Sequence, residues 1–567
     1  MKSNETKTEP TILPEETEAK TVSRRGVIGA GAALGAAASL APNPAAASRF
    51  GRRGRGGVDA HPIFGARPLQ RSLAAAEVRF AAAKSYVGKF IGQQRTNGDE
   101  GLYPDFRASF TKALPHDAQG LVDGRAYRQL LDALKSGQSS DFEQVPMAGD
   151  RRLVNPQAAY RFELTGRDGA ATFMRPAPAY AGAETAAEMG EVYWKALCRD
   201  VPFADFETSP LIAAAVNDLN AFSETVGPKE GDAVTVRTVF RGDTPGDLEG
   251  PYISQFLIKD VPYGNSTIVQ RYDTPAPGDD FMTTFGDWLD VQRGLYPPEL
   301  VKGNPRYISN ARALGEYVHV DSTYQAYLSA ALILLDMPGA FDAANPYNSS
   351  PSQEGFATFG TGDVLDLVAK ASNLALTGAW YQKWLVHRRL RPETYGGRLH
   401  KQLADGVDMG LPDEIANSDA ISRIFSRNGT YLLPMAFPEG SPTHPSYPAG
   451  HAAMAGACCT VLKAFFDEDK SIDSPVVPDA TGTSLLPYFG TLTIGGEINK
   501  LANNIALGRD WAGVHYRSDG VDGLLVGEQQ ALGLLADYSR TYNERFDGFS
   551  LTTFDGRKIL IRNGLMR

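Results

Sequence analysis

Helical periodicity, repeated along most of the chain, is the feature that most constrains its fold. Apolar residues recur at helical spacing in stretches of high Ala and Leu content. These patterns cover residues 72–92, 184–197, 324–335, 362–389, 450–466, 496–507 and 521–535. No internal repeat divides them into smaller units. We therefore expect one large all-α domain with irregular connections between its helices.

Strand patterns are few by comparison. Residues 234–240 (VTVRTVF) are rich in β-branched side chains that alternate with polar ones, which predicts a strand. Residues 550–562 predict a β-hairpin about Asp555 and Gly556. Clusters of Gly, Pro, Asn and Asp predict loops between helices at residues 241–251, 262–280 and 338–354.

Composition places the chain among ordinary globular proteins and excludes two classes. With 22% charged and 43% hydrophobic residues it is able to bury a large core, which excludes a mainly disordered protein. A formal net charge of −10 argues against general nucleic-acid binding, because that needs a basic surface. The 3 cysteines cannot form a disulfide framework, and Cys458 and Cys459 lie in an apolar run that predicts burial.

The first residues are typical of an export signal. Arg24 and Arg25 precede a weakly hydrophobic Gly/Ala/Leu stretch, and a small-residue cleavage motif ends at Ala47. This pattern predicts a twin-arginine signal peptide over residues 1–47 and an exported, periplasmic or secreted protein. A membrane anchor is the alternative, but the apolar stretch is shorter than the ~20 residues that span a bilayer.

Two regions follow the signal. The arginines and glycines of residues 48–71 predict a flexible arm. Residues 72–567 form the predicted helical domain. The sequence of this domain contains no stretch that is long and apolar enough to span a membrane.

Cationic and imidazole side chains gather in three segments of the last third of the chain. The first runs from Lys383 to Pro392 (KWLVHRRLRP), where Pro392 pushes Arg391 out of α geometry and ends the helix. At 100° per residue, Lys383 and Arg391 project from a similar side about two turns apart. The alternative is a basic helix end that complements the helix dipole.

The second segment runs from Ser441 to His451 (SPTHPSYPAGH) and leads into an Ala-rich helix. Gly450 and His451 at a helix N-terminus offer backbone N–H groups to an anion and an imidazole that transfers protons. A metal site at His444 and His451 is the weaker alternative, because no third ligand stands at a useful spacing. His444 is equally open to a role as a hydrogen-bonding residue of the loop.

The third segment runs from Leu507 to Asp519 (LGRDWAGVHYRSD). Asp519 lies four residues after His515, so on one helix its carboxylate holds one imidazole nitrogen and makes the other a better nucleophile or ligand. A surface arginine beside a solvated His–Asp pair is the alternative.

Together the three segments supply a set of groups that suits a tetrahedral oxyanion. The permanent charges are those of Lys383, Arg391 and Arg509, and the imidazoles are those of His451 and His515. Guanidinium and ammonium groups balance the charge of an oxyanion, and an imidazole is able to bond its central atom. This spacing does not distinguish phosphate from vanadate.

The motifs K-x7-R-P, H-P-x-Y-P-x-G-H and G-R-x5-H-x3-D resemble those of the vanadium-dependent haloperoxidases. These enzymes share a superfamily with type-2 phosphatidic acid phosphatases. The eight-residue step from Lys383 to Arg391 is similar to the algal and cyanobacterial bromoperoxidase branch. The resemblance extends upstream through residues 109–116, 152–160 and 241–247.

The resemblance implies a fold of two four-helix bundles and a vanadate cofactor. Vanadate oxygens would be bound by Lys383, Arg391, Gly450 and Arg509, with His515 as the axial vanadium ligand. The catalytic set would comprise His451 as the acid–base residue, His444 as an additional active-site histidine, Lys383, which polarises bound peroxide, and Asp519. Hydrogen peroxide and bromide would give hypobromous acid, which halogenates a small organic acceptor.

Two positions depart from this pattern. Ala449 stands where the algal branch has a vanadate-binding serine, which removes a hydroxyl contact. Trp380, in the predicted substrate pocket, stands where algal enzymes have arginine and fungal chloroperoxidases tryptophan, which leaves iodide and chloride open beside bromide. The resemblance also implies a homo-oligomer, up to a dodecamer, and a structural calcium for which residues 345–353 are the candidate loop.

Two other functions remain open from the sequence. A phosphatase would use the same pocket, with a histidine as the phosphorylated residue. A non-enzymatic, exported oxyanion-binding protein would bind vanadate tightly without oxidising bromide or cleaving phosphate esters.

Overall fold

The computed structural model describes residues 68–87 and 94–567. The predicted signal of residues 1–47 and the first part of the predicted arm lie outside the described residues. The first described helix begins at Pro68, so residues 68–71, the end of the predicted flexible arm, are helical instead. Proline is well suited to a first helical position, because its N–H would be unpaired there.

Helix dominates the described residues, as predicted. The α-helices are α1 (Pro68–Val87), α2 (Asp99–Leu102), α3 (Gly124–Ser136), α4 (Ser139–Phe142), α5 (Ala183–Cys198), α6 (Pro210–Leu219), α7 (Phe285–Gln292), α8 (Ala311–Tyr317), α9 (Gln325–Asp336), α10 (Thr361–Tyr381), α11 (Pro392–Asp405), α12 (Asp413–Ala416), α13 (Asp419–Asn428), α14 (Gly450–Phe465), α15 (Ile494–Trp511) and α16 (Arg517–Tyr538). A π-helical turn, Gln382–His387, continues α10.

Within the described residues, the strands form two antiparallel pairs and one three-stranded antiparallel sheet, all of them short. They are β1 (Val261–Tyr263), β2 (Ser266–Ile268), β3 (Val476–Pro478), β4 (Leu485–Pro487), β5 (Phe549–Thr552), β6 (Lys558–Arg562) and β7 (Leu565–Met566). β5 pairs with β6 from Phe549–Ile561 to Thr552–Lys558, and β7 extends this sheet. Gly556, with φ 83°, lies in the turn, so the hairpin predicted from residues 550–562 is confirmed.

The core of the C-terminal half is a four-helix bundle. Helix α14 packs against α10, α15 and α16, and α16 also contacts α10 and α15. Glycines let α14 and α16 approach closely, because a Cβ at Gly456 or Gly527 would overlap a backbone carbonyl of the facing helix. The N-terminus of α14, which carries the Gly450–His451 pair, is thereby fixed between its neighbours.

A second group of helices surrounds α5, whose residues are almost all buried. Helices α6, α12 and α13 pack on α5, and α15 contacts both α5 and α8. Because α15 belongs to both groups, it joins them. The predicted class, a large helical fold with a few short hairpins, is confirmed.

One predicted strand is wrong. Residues 234–240 form successive turns, in which the Thr235 carbonyl accepts hydrogen bonds from the N–H groups of Thr238 (3.1 Å) and Val239 (2.8 Å). Val239 and Phe240 are buried in the helical core. Burial against helices therefore outweighs the strand propensity of these β-branched residues.

The buried-cysteine prediction is confirmed, since Cys198, Cys458 and Cys459 are all free and buried. In the part of the chain that the structure describes, no helix is long and apolar enough to cross a membrane.

Candidate active site

Lys383 and Arg391 reach the site from different elements, which corrects the prediction of one helix carrying both. Lys383 lies in the π-helical turn after α10, and Arg388 then adopts a left-handed backbone with φ 42°. Arg391 is extended (φ −89°, ψ 156°) because Pro392 follows it, as predicted. The helical segment that carries Lys383 already ends at His387, so the prediction that Pro392 ends it is wrong; Pro392 instead begins α11.

Three buried cations converge on the loop that precedes α14 and on the end of α15. Lys383 Nζ donates to the carbonyls of Pro445 (2.7 Å) and Ser446 (2.8 Å). Arg391 donates through Nη1 to the Val514 carbonyl (2.8 Å) and through Nε to the His444 carbonyl (3.0 Å).

The third cation, Arg509, donates through Nη1 to the Val318 carbonyl (2.5 Å). Among the residues that the structure describes, none of the three cations has a carboxylate within 4.0 Å. The site thus holds three buried cations that are hydrogen-bonded to carbonyl groups and have no direct ion pair.

The cations also perturb one another. Burial first, and then the charge of Arg391, holds the pKa of Lys383 well below its usual value. Burial lowers the pKa of Arg391 to about 9 and that of Arg509 to about 10. Arg509 Nε is buried with no hydrogen-bond partner in the described structure. An anion placed among these side chains would supply the missing charge and the missing acceptor.

His515 presents an unprotonated nitrogen to this pocket. Its Nδ1 lies 2.7 Å from Asp519 Oδ2, and its Nε2 lies 2.8 Å from Arg391 Nη1. Since arginine only donates and an ionised carboxylate only accepts, we assign the proton to Nδ1 and the lone pair to Nε2. Burial and the charge of Arg391 hold the pKa of His515 well below its usual value, which keeps the ring neutral.

The contact between His515 and Asp519 was predicted, but only Asp519 is on a helix. Helix α16 begins at Arg517, and Tyr516 is its N-cap. Arg389 donates to Asp519 Oδ1 (3.0 Å) and to Glu188 (3.0 Å), and the Ser446 hydroxyl donates to Asp519 Oδ2. The carboxylate that orients His515 is itself held from two sides.

His451 lies in the first turn of α14, next to the helix N-terminus. Gly450 begins the helix, and Ala449 at the N-cap gives no side-chain cap, so the first N–H groups face the pocket region unpaired within the helix. His451 Nε2 lies 3.2 Å from Asp321 Oδ1. Burial and Arg509 lower the pKa of His451, whereas Asp321 opposes that shift.

His444 and Trp380 form the wall beside Gly450. His444 Nδ1 lies 3.0 Å from Arg391 Nη2, and its ring centroid lies 4.8 Å from that of Trp380. Trp380 donates to the Val154 carbonyl (3.2 Å). A Cβ at Gly450 would come within 3.1 Å of the Trp380 ring, so the indole leaves little room for a larger residue there.

The structure therefore brings together all three predicted segments, and it adds residues that the sequence did not indicate. Asp321 and Glu188 lie far from the three motifs in the chain, so no local pattern identifies them. Arg389 and Ser446 stand inside two of the motifs, but only the fold reveals their contacts with Asp519.

Metal-binding clusters of acidic, His and Cys side chains are absent from the described ranges, 68–87 and 94–567. In the candidate calcium loop, Asn345 is engaged by the Phe359 carbonyl and the Tyr347 N–H. The calcium site stays a prediction.

A predominantly helical fold with buried cations, a helix N-terminus and an imidazole lone pair around one point defines a class of oxyanion-binding enzymes. Comparison with known proteins gives the family. A family model described as the VCPO second helical-bundle domain matches residues 366–544. That range contains every residue of the three motifs.

Similarity to characterised enzymes extends much further along the chain. The chain is 38% identical over 526 residues to a vanadium-dependent bromoperoxidase of Ascophyllum nodosum, covering 87% of this chain and 92% of the relative. It is 36% identical to a vanadium-dependent bromoperoxidase of Corallina pilulifera, covering 87% and 98%.

A solved structure agrees with these relatives. The homohexameric second vanadate-dependent bromoperoxidase of Ascophyllum nodosum aligns with a TM-score of 0.84 and 31% identity, covering 91% of this chain and 95% of that one. The chain belongs to the vanadium-dependent bromoperoxidases, within the haloperoxidase family. The resemblance drawn from the three motifs is confirmed.

Proposed function

We propose that this protein binds vanadate at the His515 pocket and uses hydrogen peroxide to oxidise bromide, giving hypobromous acid that halogenates organic acceptors. The observation that carries the proposal is the Nε2 lone pair of His515, aimed at Arg391 in a pocket of buried cations that have no direct ion pair. That nitrogen is able to coordinate vanadium, and the cations are able to donate hydrogen bonds to vanadate oxygens.

The residues present fit the cofactor. Lys383, Arg391 and Arg509 would hold its oxygens with the Gly450 N–H, and His515 would bind the vanadium. Bound there, vanadate supplies a Lewis-acid centre that activates peroxide for two-electron oxidation of a halide. Arg509 Nε, which is buried without a hydrogen-bond partner in the described structure, independently supports an anion at this point, because a vanadate oxygen would accept its hydrogen bond.

The chain's own residues then handle charge and protons. His451 is neutral, so it is able to accept the proton that peroxide loses on binding, and Asp321 orients its ring. Lys383 contributes an ammonium group beside the same point and polarises the peroxide. His444 and Trp380 pack against each other, and the Trp380 indole lies next to Gly450.

A phosphatase remains the second candidate function only on chemical grounds, since phosphate has the same shape and charge. The bromoperoxidase relatives cover most of this chain, and they favour the haloperoxidase. Trp380 keeps iodide and chloride as further halide candidates.

The proposed function is tested by titrating metal-free protein with orthovanadate in the presence of peroxide and each halide in turn. Bromide oxidation should rise from zero and saturate at about one vanadate per chain, because a single unprotonated imidazole nitrogen, that of His515, would bind the vanadium. Bromide oxidation that is independent of added vanadate in the metal-free protein would contradict the proposal.

Asp321→Asn should shift the acidic limb of the pH profile of kcat/KM for peroxide to lower pH. His451 acts as a base only when neutral, so activity falls as the pH drops through its pKa. The Asp321 charge raises that pKa, and its removal lowers it. Loss of the orienting contact should also reduce kcat about 10-fold.

The matched variant for this test is Asp321→Glu, which keeps the charge and should leave the limb close to its original position. A limb that does not move in Asp321→Asn, or that moves to higher pH, would show that His451 is not the base or that Asp321 does not tune it.

Ala449→Ser should tighten vanadate binding by about 2- to 10-fold, because one added hydroxyl is worth roughly 0.5–1.5 kcal/mol when it meets an acceptor. Ala449 is fully buried at the N-cap of α14, next to Gly450. Equilibrium dialysis against vanadate measures the change. An unaltered dissociation constant would mean that the new hydroxyl caps the helix and does not reach the anion.

We also propose a homo-oligomer, on the ground that the similar Ascophyllum nodosum enzyme is described as homohexameric. Export through the twin-arginine signal of residues 1–47 and a structural calcium at residues 345–353 are retained as proposals from the sequence.

A further inference from the structure

A cavity of about 420 Å³ lies next to the oxyanion pocket and has no role in the chemistry described so far. We call it the acceptor cavity. Its wall combines flat apolar side chains, those of Tyr296, Pro297, Pro298 and Pro438, with three basic and two acidic ones. Its volume falls within the range of small-molecule sites, and flat proline and tyrosine faces suit a planar ring.

The acceptor cavity shares a wall with the oxyanion pocket. In one short segment, the Val318 carbonyl accepts from Arg509 (2.5 Å), His319 lines the cavity, and Asp321 contacts His451 (3.2 Å). The Phe437 ring contacts both sides, with its centroid 3.8 Å from that of His319 and 5.5 Å from Arg509 Cζ.

The shared wall lies on the side of the site that is open to solvent. The side chains of His451, Asp321 and His319 are exposed by 23%, 17% and 18%, whereas Lys383 and Arg391 are fully buried. An oxidant that leaves the pocket past His451 would therefore pass along this shared wall.

Within the described residues, the charged side chains of the acceptor cavity are ion-paired except those of Arg151 and Glu299. His319 bridges Glu316 (3.0 Å) and Glu439 (2.7 Å), and Lys302 pairs with Glu316 (2.6 Å). Glu299 stands at the exposed rim.

Arg151 is the cation of this cavity that has no ion pair in the described ranges. It donates through Nη1 to the Glu439 carbonyl (3.1 Å), and within the described ranges no carboxylate lies within 4.0 Å of its guanidinium. An anionic oxygen of a bound ligand would accept a charge-assisted hydrogen bond from the Arg151 guanidinium.

We propose that the acceptor cavity binds the organic acceptor, and that this acceptor is a small aromatic compound carrying an anionic oxygen. The inference rests on the proposed function, which supplies hypobromous acid in the adjacent oxyanion pocket. In the halogenation, the ring carbon forms a C–Br bond as the O–Br bond breaks. The displaced ring proton and the hydroxide released leave together as water, and peroxide has supplied the two oxidising equivalents.

The test uses vanadate-loaded enzyme with 4-hydroxybenzoate as the anionic acceptor and 4-hydroxybenzyl alcohol as the neutral one. Arg151→Gln should raise KM for 4-hydroxybenzoate about 10-fold, because a charge-assisted hydrogen bond is lost, and leave KM for the alcohol unchanged. Arg152→Gln is the matched control, since Arg152 is the exposed neighbour that does not line the cavity.

Two further readings separate this inference from the proposed function. Oxygen released by peroxide and bromide without an acceptor reports hypobromous acid formation alone, and it should be the same in both variants. Equilibrium dialysis of 4-hydroxybenzoate without peroxide reports the cavity alone, and Arg151→Gln should weaken that binding by a similar factor.

Rates that rise linearly with acceptor concentration, with no saturation, would overturn the acceptor cavity. So would identical behaviour of Arg151→Gln and Arg152→Gln, or absence of dialysis binding in the wild-type protein. If oxygen release is missing from the wild-type enzyme while dialysis shows binding that depends on Arg151, the proposed function fails and the cavity stands.

Discussion

His515→Ala should abolish bromide oxidation, reducing kcat by at least roughly 10³-fold even when vanadate is present in large excess. Excess vanadate is able to refill a site that has merely lost affinity, but it does not replace the imidazole nitrogen that would bind the vanadium. The structure gives the reason: His515 Nε2 is the imidazole lone pair at the three cations, with its proton placed on Nδ1 by Asp519. Monochlorodimedone bromination over a vanadate series measures the effect.

The control for this substitution is His400→Ala, which removes a half-buried histidine of α11 that stacks on Phe285. It should alter stability at most and leave bromination intact. Full activity of His515→Ala at high vanadate would remove this residue as the essential ligand and leave the pocket's electrostatics as the sole source of binding.

Lys383→Met should have opposite effects on cofactor binding and on the stability of the metal-free protein. We expect vanadate to bind roughly 100-fold more weakly, because a charged hydrogen-bond donor is lost from the anion. The metal-free protein should unfold at the same or a higher temperature, because an apolar side chain of similar length replaces a buried charge that is repelled by Arg391.

Lys463→Met provides the matched comparison for Lys383→Met. Lys463 is also a buried lysine bonded to neutral oxygens, those of Asn499 and Thr552, but it lies at the far end of α14. Its replacement should leave the vanadate dissociation constant unchanged. The buried charge of Lys383 is thus expected to destabilise the metal-free protein and to bind vanadate. Equal loss of vanadate binding in the two variants, or marked destabilisation of the metal-free Lys383→Met protein, would contradict this expectation.

Much of the site could be predicted because most of its residues lie in three short segments of the chain. The spacing of His515 and Asp519 indicates their contact, and the Gly450–His451 pair indicates a helix N-terminus. Both features are local in the chain, and capping rules reach the second. The His515–Asp519 contact forms although His515 lies before helix α16, whereas the prediction placed it on the same helix as Asp519. The helices of the four-helix bundle were predicted from their periodicity, which is also local.

The remainder depended on long-range contacts. Asp321 contacts His451 although 130 residues of chain separate them, and no sequence pattern near either residue indicates this contact. Helix α11 was not predicted, because Gly396 and Gly397 lower its intrinsic helix propensity. Packing requires a glycine there, since a Cβ at Gly397 would overlap the Trp288 ring. The π-helical turn at Lys383 likewise depends on its surroundings.

The central claim is that one oxyanion pocket serves vanadate-dependent bromide oxidation. The most direct measurement is monochlorodimedone bromination by metal-free protein with bromide and peroxide, before and after addition of orthovanadate, with hydrolysis of a phosphate ester followed in parallel. Bromination that appears only with vanadate, without ester hydrolysis, is the predicted result. Absence of bromination, together with ester hydrolysis that vanadate inhibits, would contradict the claim and make the protein a phosphatase.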